Sequence, residues 1–419
     1  MRIGVTGGIG CGKSTVVAEL HKLLPYAALF DFDASVRALY GNTLFQQGLR
    51  RAFGTDKREE VAAIVFSSPA AMHELNEMTR TPLLLELRHR TAAAPLALVE
   101  FPLLLETAWD TEHFDLIVAI TCDEATQKQR VAARDGASAD KISRVLGGQF
   151  STSAKAALAD IVIDTSAGAP ALSTQLAPVL RAVRLDALRQ RALKDFPTLF
   201  WEAIAQAYSE PHRHYHGLSH LSAMFREYDR VRHLLNYPEA VSDSIWLHDF
   251  RMDVDLAAYS ANEARSAKAY LELSRDYAPR RLAVTDEHEG GLRYGRVGLV
   301  AEFIMCTKGH QVNSPFLQAH PKALADAKLF LDIDLSILSA PADECDTYDA
   351  NIRKEFAAVP EKFFASERAR VLRNFLERER IYLTDVFAPR EDIARDNLRR
   401  LIARWEAVAA TAPLAAIAH

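Results

Sequence analysis

The sequence predicts two unlike domains in one chain: an α/β domain built on a parallel sheet with flanking helices over residues 1–185, then an all-α domain over 195–408. Three observations predict this. A glycine loop sits between a short apolar run and a helical stretch near residue 10. Apolar runs then alternate with helical stretches across about 165 residues, the pattern of a parallel sheet covered on both faces. Beyond about residue 195 strand signals nearly vanish, and apolar residues recur at helical spacing, as in Phe200, Ile204 and Tyr208 and again in Val371-Leu372 with Phe375-Leu376.

The first element is the strand Ile3-Gly4-Val5. Gly7-Gly8-Ile9-Gly10-Cys11-Gly12-Lys13-Ser14 follows, and Thr15-Val16-Val17-Ala18-Glu19-Leu20 reads as a helix. Strand, glycine loop, Lys-Ser and helix form the phosphate-binding loop pattern. Glycines let backbone N–H groups turn inward around an anion, and the helix N-terminus adds partial positive charge. Gly10, Cys11, Gly12, Lys13, Ser14, Thr15 and Val16 are therefore the candidate nucleotide contacts, with Lys13 reaching the β- and γ-phosphates and Ser14 placed for Mg²⁺. The pattern asks for ATP or GTP and does not name the phosphate acceptor.

The second strand, Ala27-Ala28-Leu29-Phe30-Asp31-Phe32-Asp33, ends in two acids. Asp31 or Asp33 is suited to accept a hydroxyl proton or help hold Mg²⁺, and equally to cap the helix that begins at Ala34. Residues from about 40 to 92 read as helical, punctuated by Pro69 and Pro82. Leu96-Ala97-Leu98-Val99-Glu100-Phe101 is the third strand, with Glu100 either near Mg²⁺ through water or in a salt bridge. Leu116 to Ile120 is the fourth. A polar helix then carries Gln127, Arg130 and Arg134 on one face before Asp135-Gly136. Such arginines either close over transferring phosphates or form a solvated face. Ala159 to Asp164 is the last strand. Ser166-Ala167-Gly168-Ala169-Pro170 breaks the pattern, and a helix from about Ala171 to Leu193 leads into the second half.

Composition bounds the partners. The chain has 419 residues, 49% hydrophobic and 25% charged, enough for more than one core. Its net charge of −5 gives no electrostatic case for nucleic acid or a membrane surface. Cys11, Cys122, Cys306 and Cys345 are scattered without CxxC spacing, which reads as reduced thiols and a cytoplasmic setting. Met1-Arg2 runs straight into the first strand, leaving no room for a signal peptide, and no apolar run approaches a membrane span. There is no internal repeat, and the alanine-rich tail after Ala407 is expected to fray.

The first half resembles dephospho-CoA kinase, a P-loop kinase. The matching pieces run in order: Val5-Thr6-Gly7 through Thr15; Asp31-Phe32-Asp33-Ala34 with Arg37; Phe53-Gly54; Ile64-Val65-Phe66; Phe101 to Glu106; Gln127, Arg130 and Arg134; Gln149 with Lys155; and Ala159-Asp160. The resemblance covers about residues 1 to 185. It implies transfer of the ATP γ-phosphate to the ribose 3′-hydroxyl of dephospho-CoA, with Mg²⁺ as cofactor. In that pattern Asp33 is the general base, Lys13 and Arg134 balance charge on the phosphoryl group, and Ser14 holds Mg²⁺. The chain departs from the family's usual His-Pro at Thr81-Pro82 and from its usual Asn at Thr165.

In the second half the chemistry-bearing residues are histidines and acids. His212, His214, His216 and His220 crowd one stretch, and His216 and His220 are spaced one helical turn apart. His248-Asp249 follows the apolar Ile245-Trp246-Leu247, His310 follows Thr307-Lys308, and Asp332 and Asp334 interrupt Phe330-Leu331-Asp332-Ile333-Asp334-Leu335. Carboxylates within apolar helices are costly unless paired or bound to a metal.

In order they make His, His-Asp, Asp, which resembles the metal-dependent HD phosphohydrolase superfamily. The local contexts are Arg213 with Tyr215-His216 and His220, Leu247-His248-Asp249, Asn262-Glu263 with Ser266, Thr307-Lys308 with His310, and Leu331 to Leu335. The resemblance implies an all-α HD domain in which His220, His248, Asp249 and Asp334 hold a divalent metal. His216 is an alternative to His220 and Asp332 to Asp334, while His310 either joins a second metal site or helps Arg213 and Lys308 bind phosphate. Mixed His/carboxylate ligands suit Mn, Fe, Co, Ni or Zn. The metal would lower the pKa of a water aimed at phosphorus.

The expectation is a bifunctional chain: a kinase acting on dephospho-CoA and ATP, and a hydrolase of a nucleotide or other phosphorylated small molecule. Two rivals stand beside it. In one the second half is a ligand-sensing module without hydrolysis. In the other the kinase half acts on another nucleotide-like acceptor.

Overall fold

Apolar runs of four to six residues pair into a parallel sheet: β1 (Arg2–Gly7), β2 (Ala28–Asp31), β3 (Ala97–Glu100), β4 (Leu116–Thr121) and β5 (Ile161–Asp164), in the order β2-β3-β1-β4-β5. The computed structural model describes residues 1–65, 67–107, 111–135, 146–167, 172–255, 259–277 and 295–411. The chain divides into two units, Met1–Val183 and Arg184–His419. Phe66, Gly136, Gly168-Ala169-Pro170 with Ala171, and the last eight residues of the tail lie outside the described residues.

In unit 1, alternate residues of each strand face opposite layers, as the pleat requires. Ile3, Val5, Leu98, Val118 and Ile120 enter one buried cluster with Val16, Val17 and Leu20 of α1 (Lys13–Leu23). Phe30, Ala97, Val99 and Ile117 enter another, with Phe32 of α2 (Phe32–Leu39) and Leu83 and Leu87 of α5 (Pro69–Thr91). Between α2 and α5, α3 (Thr43–Phe53) and α4 (Arg58–Val65) bury Phe45, Leu49, Val61 and Val65 together. α6 (Glu124–Asp135) follows β4, and α7 (Thr152–Leu158) precedes β5. The first half of α8 (Leu172–Asp195) buries Leu172, Leu176, Val179 and Val183 in the cluster of α1.

Two local readings change. Strand β2 stops at Asp31, because the Asp31 side chain accepts from the Ala34 N–H and starts α2 one residue later. Asp33 is thus helical. Pro82 does not end a helix but lies inside α5, while Pro69 occupies its first turn, where the missing N–H is not needed.

Register places the chemistry. β1 lies between β3 and β4, the switch point at whose carboxyl ends ligands bind in open parallel sheets. Val5 pairs with Glu100 and with Val118, and Asp31 pairs with Glu100. The glycine loop, Asp31 and Glu100 therefore leave the sheet at one edge.

Unit 2 has no strand among its described residues. The last part of α8 contributes Leu188 and Ala192 to its single large core. The helices are α9 (Thr198–Ala207), α10 (Leu218–Val231), α11 (Pro238–Leu247), α12 (Asn262–Tyr277), α13 (Gly295–Cys306), α14 (Pro315–Ala319), α15 (Pro321–Asp334), α16 (Ala342–Glu355), α17 (Glu361–Leu376) and α18 (Glu391–Thr411). Trp246, Tyr270 and Tyr382 are its largest fully buried side chains among the described residues. No described helix is long and apolar enough to cross a membrane.

Asp332 braces this core rather than offering an alternative to Asp334. Its fully buried carboxylate accepts from the Leu383 N–H at 2.6 Å, the Thr384 N–H at 2.8 Å and the Thr384 hydroxyl. Asp332→Ala strands both buried N–H groups. Bonds to charged groups contribute about 1.5–3 kcal/mol each, so the substitution costs about 3 kcal/mol or more. Urea unfolding followed by the buried Trp246 and Trp405 should show the midpoint fall. An unchanged midpoint would contradict the bracing role.

Candidate functional site

The loop of unit 1 is braced by Gln127, Gln149 and Thr165. Gly10 and Gly12 take φ of 78° and 86°, conformations that a side chain would strain. A Cβ on Gly8 would come within 2.4 Å of Gln127 Nε2, and one on Gly10 within 2.9 Å of the Gln127 carbonyl. Those close approaches come from α6. Gln127 donates to the Ile9 carbonyl at 3.0 Å, and Arg130 donates to Thr165 Oγ1 at 2.9 Å and to the Thr165 carbonyl at 2.8 Å. Thr165 in turn donates to the Cys11 carbonyl at 2.8 Å. The Ile9 N–H donates to Gln149 at 3.0 Å. Arg134 stands one turn beyond Arg130 on the same face and is exposed.

Lys13 is buried and donates from Nζ to the Gly7 and Gly8 carbonyls, both at 3.1 Å. Burial lowers its pKa, against the pull of Glu100. Ser14 donates to Glu100 at 2.8 Å. The carboxyl of Glu100 is raised by lost hydration, with the Ser14 hydrogen bond opposing. A hydroxyl and a carboxylate this close, beside Asp31 and Asp33, form an oxygen-only set that suits Mg²⁺.

Asp31 and Asp33 separate cleanly. Asp31 caps α2, so its side chain is engaged by the backbone. Asp33 lies in the first turn of α2, and its carboxyl is raised first by lost hydration and next by Asp31, with Lys13, Arg37 and Arg58 opposing.

Sequence reasoning gave no individual role to Lys155, Glu106 or Thr165. Fully buried Lys155 donates to the Pro102 carbonyl at 2.6 Å and pairs with Glu106 at 2.7 Å, and the Phe150 N–H donates to Glu106 at 2.9 Å. This pair ties the segment after β3 to the segment that carries Gln149. Cys11 and Cys122, far apart in sequence, meet with Sγ atoms 3.5 Å apart as free thiols.

In unit 2 three histidines and two carboxylates converge. His220 lies in the first turn of α10, His248 caps the C-terminus of α11, and Asp334 is the last residue of α15. His220 Nε2 is 3.2 Å from His248 Nε2 and 3.2 Å from Asp334 Oδ1. His248 Nε2 is 3.0 Å from Asp249 Oδ2, and Asp249 is 3.8 Å from His220. Asp334 Oδ2 receives a hydrogen bond of 3.0 Å from His310, whose backbone sits at φ 51° in a turn that Arg378 holds through the Gly309 and His310 carbonyls.

Ligand atoms of His220, His248 and Asp334 all lie within 4.8 Å of one another, and all three residues are buried. His248 Nδ1 is 3.1 Å from the Ile245 carbonyl; donating there turns Nε2 into the cluster, as in metal-binding histidines. Burial disfavours charge on His248, but Asp249 outweighs it and the ring is pushed up to about 9. The carboxyl of Asp249 is held low by His248, and that of Asp334 by His220 and His310, against burial. Carboxylates and imidazole nitrogens at these distances are a mixed oxygen and nitrogen set of the kind that divalent transition metals take.

His216 is held differently from His220, with the two ring centroids 5.9 Å apart. It precedes α10 rather than lying on it, and its Nδ1 pairs with buried Glu355 at 2.7 Å. Glu355 also accepts from the Tyr215 and His216 N–H groups. Arg213 likewise is a brace: it binds Glu210 and the carbonyls of His216, Asp249 and Phe250. No sequence signal marks Glu355, which lies far from His216 along the chain.

A parallel sheet with a glycine loop and Lys-Ser after its central strand puts unit 1 in the P-loop kinase class. Residues 1–171 match the family Dephospho-CoA kinase. The dephospho-CoA kinase of Leifsonia xyli subsp. xyli is 37% identical over 178 residues, 39% of this chain and 88% of that protein. That of Rhodopseudomonas palustris is 32% identical over 195 residues, 43% of this chain and 94% of that protein. A solved structure, TT1252 from Thermus thermophilus, is 26% identical over 43% of this chain and 96% of its own, with a TM-score of 0.40. The chain belongs to the dephospho-CoA kinase family.

Proposed function

We propose that the chain is bifunctional. Unit 1 transfers the γ-phosphate of ATP to the ribose 3′-hydroxyl of dephospho-CoA, and unit 2 hydrolyses a nucleotide or small phosphate ester with a bound divalent metal.

For unit 1 the carrying observation is Asp33. It is the acid of the β2 edge left unengaged by helix capping, and it faces the loop that cradles ATP. Asp33 takes the proton of the acceptor hydroxyl as oxygen attacks the γ-phosphorus. Lys13 and Arg134 balance charge on the phosphoryl group. Ser14 would hold Mg²⁺ with Glu100 beside it, where the ion would supply charge to offset the phosphates. Incubating the chain with ATP and either dephospho-CoA or nucleoside monophosphates tests the acceptor. CoA should form, with ADP released in step; preferential ATP use with a nucleoside monophosphate would name a different acceptor.

The same geometry sets a pH dependence. Asp33 must be ionised to accept a proton, so activity falls as pH drops through its pKa. Asp31 raises that pKa. Asp31→Asn keeps the cap and removes the charge, so the acid limb of kcat/KM should move to lower pH. A limb that stays in place would show that another group governs it.

For unit 2 the carrying observation is the buried set of His220, His248 and Asp334 with Asp249 against it. These four residues would hold the metal, which would supply a water of lowered pKa and polarise phosphate oxygens. His310 positions Asp334 by hydrogen bonding to its second oxygen. Exposed Lys308, beside His310 in the chain, is the phosphate-binding candidate left once Arg213 is assigned to bracing.

A further inference from the structure

Glu263 is a half-buried acid in the first turn of α12, and its Oε2 is shut off from solvent with no hydrogen-bond partner among the described residues. Buried acceptors are normally paired, so such an oxygen asks for a role. Its surroundings supply one. Asn262 and Ser266, four apart on one face of α12, clamp the segment that follows His248-Asp249. Asn262 exchanges two hydrogen bonds of 3.0 Å with the Asp253 backbone, and Ser266 Oγ accepts from the Arg251 N–H at 3.0 Å. Glu263 is three residues before Ser266, so the two are neighbours on the surface of α12. On the other flank Lys308 Nζ donates to the Ser260 carbonyl at 3.1 Å. The charged groups acting on Glu263 are Asp249, Lys308 and His310, all from the site.

We propose that Glu263 is the general acid of the hydrolase site, giving its proton to the leaving oxygen of a phosphate monoester. This rests on the hydrolase reading of unit 2. Water oxygen attacks phosphorus as the P–O bond to the ester group breaks, and the electron pair of that bond goes to the ester oxygen. Glu263 protonates that oxygen and an alcohol leaves. One water proton stays on the product as hydrogen phosphate, and the other returns Glu263 to its acid form through solvent. The sum is ROPO₃²⁻ + H₂O → ROH + HPO₄²⁻. Lost hydration raises the carboxyl of Glu263 above its ordinary value, which favours the acid form.

The test uses the full metal-loaded chain, wild type and Glu263→Gln. The probes are nucleoside 5′-monophosphates and their analogues with sulfur in the bridging position, whose thiolate leaves without a proton. General acid catalysis contributes about 10²–10⁴-fold. E263Q should therefore lose about a hundredfold or more in kcat on the oxygen esters, only a few-fold on the sulfur analogues, and no metal content. Equal losses on both esters, no loss on either, or a fall in bound metal would each overturn the proton-donor role while leaving the hydrolase reading standing. A wild-type chain that holds metal and releases phosphate from neither probe would overturn the hydrolase reading and this role with it.

Discussion

Asp33→Asn leaves ATP bound and slows transfer of its γ-phosphate by about a hundredfold or more. The side chain keeps its size, and α2 keeps its cap because Asp31 makes the hydrogen bond to Ala34. The loop carbonyls still hold Lys13, and Ser14 still meets Glu100. What is lost is the acceptor for one proton at the moment the hydroxyl attacks. Binding of ATP by titration, beside single-turnover CoA formation, separates the two effects. Turnover equal to wild type would remove Asp33 as the base. Weakened ATP binding with normal chemistry would make it a structural acid of the cleft.

His248→Ala should strip unit 2 of its metal and end phosphate release while leaving CoA formation unchanged. The ring contributes one of three buried ligand atoms, and its Nε2 lies 3.0 Å from Asp249 and 3.2 Å from His220. Outer-shell changes already weaken metal sites by about 10–100-fold, so loss of a ligand exceeds about a hundredfold. Metal analysis of purified protein gives the binding result, and inorganic phosphate release gives the chemistry. Retained metal with retained hydrolysis would place the reaction elsewhere in the chain.

The division of the chain and the order of its elements were legible because their signals are local. A glycine loop needs only its own residues to be recognised, and the apolar runs of β1, β3 and β4 are buried on both faces, so they stand out as continuous. The meeting of His220, His248 and Asp334 was legible as a pattern of side-chain types in order. What was not legible depends on partners distant in sequence. Asp332 and Asp334 look alike in the chain, and only the backbone of Leu383 and Thr384 claims one of them. His216 and His220 have helical spacing, but α10 starts at Leu218, and Glu355 claims His216. Arg213 has the composition of a phosphate ligand, yet backbone carbonyls occupy it. Asp31 and Asp33 were balanced until capping engaged one of them. Thr165, which departs from the family's usual residue, shows its use only where Arg130 and Cys11 meet it.

The measurement that tests the central claim most directly is phosphate release by the full chain of known metal content. Wild type and the His248→Ala/Asp249→Ala double variant are each supplied with Mn²⁺ and a panel of nucleotides, CoA and dephospho-CoA. Wild type should release phosphate that the double variant does not, with CoA formation from ATP and dephospho-CoA intact in both. A metal-loaded wild type that releases no phosphate beyond the double variant would contradict this expectation and leave unit 2 a sensing module beside a working kinase.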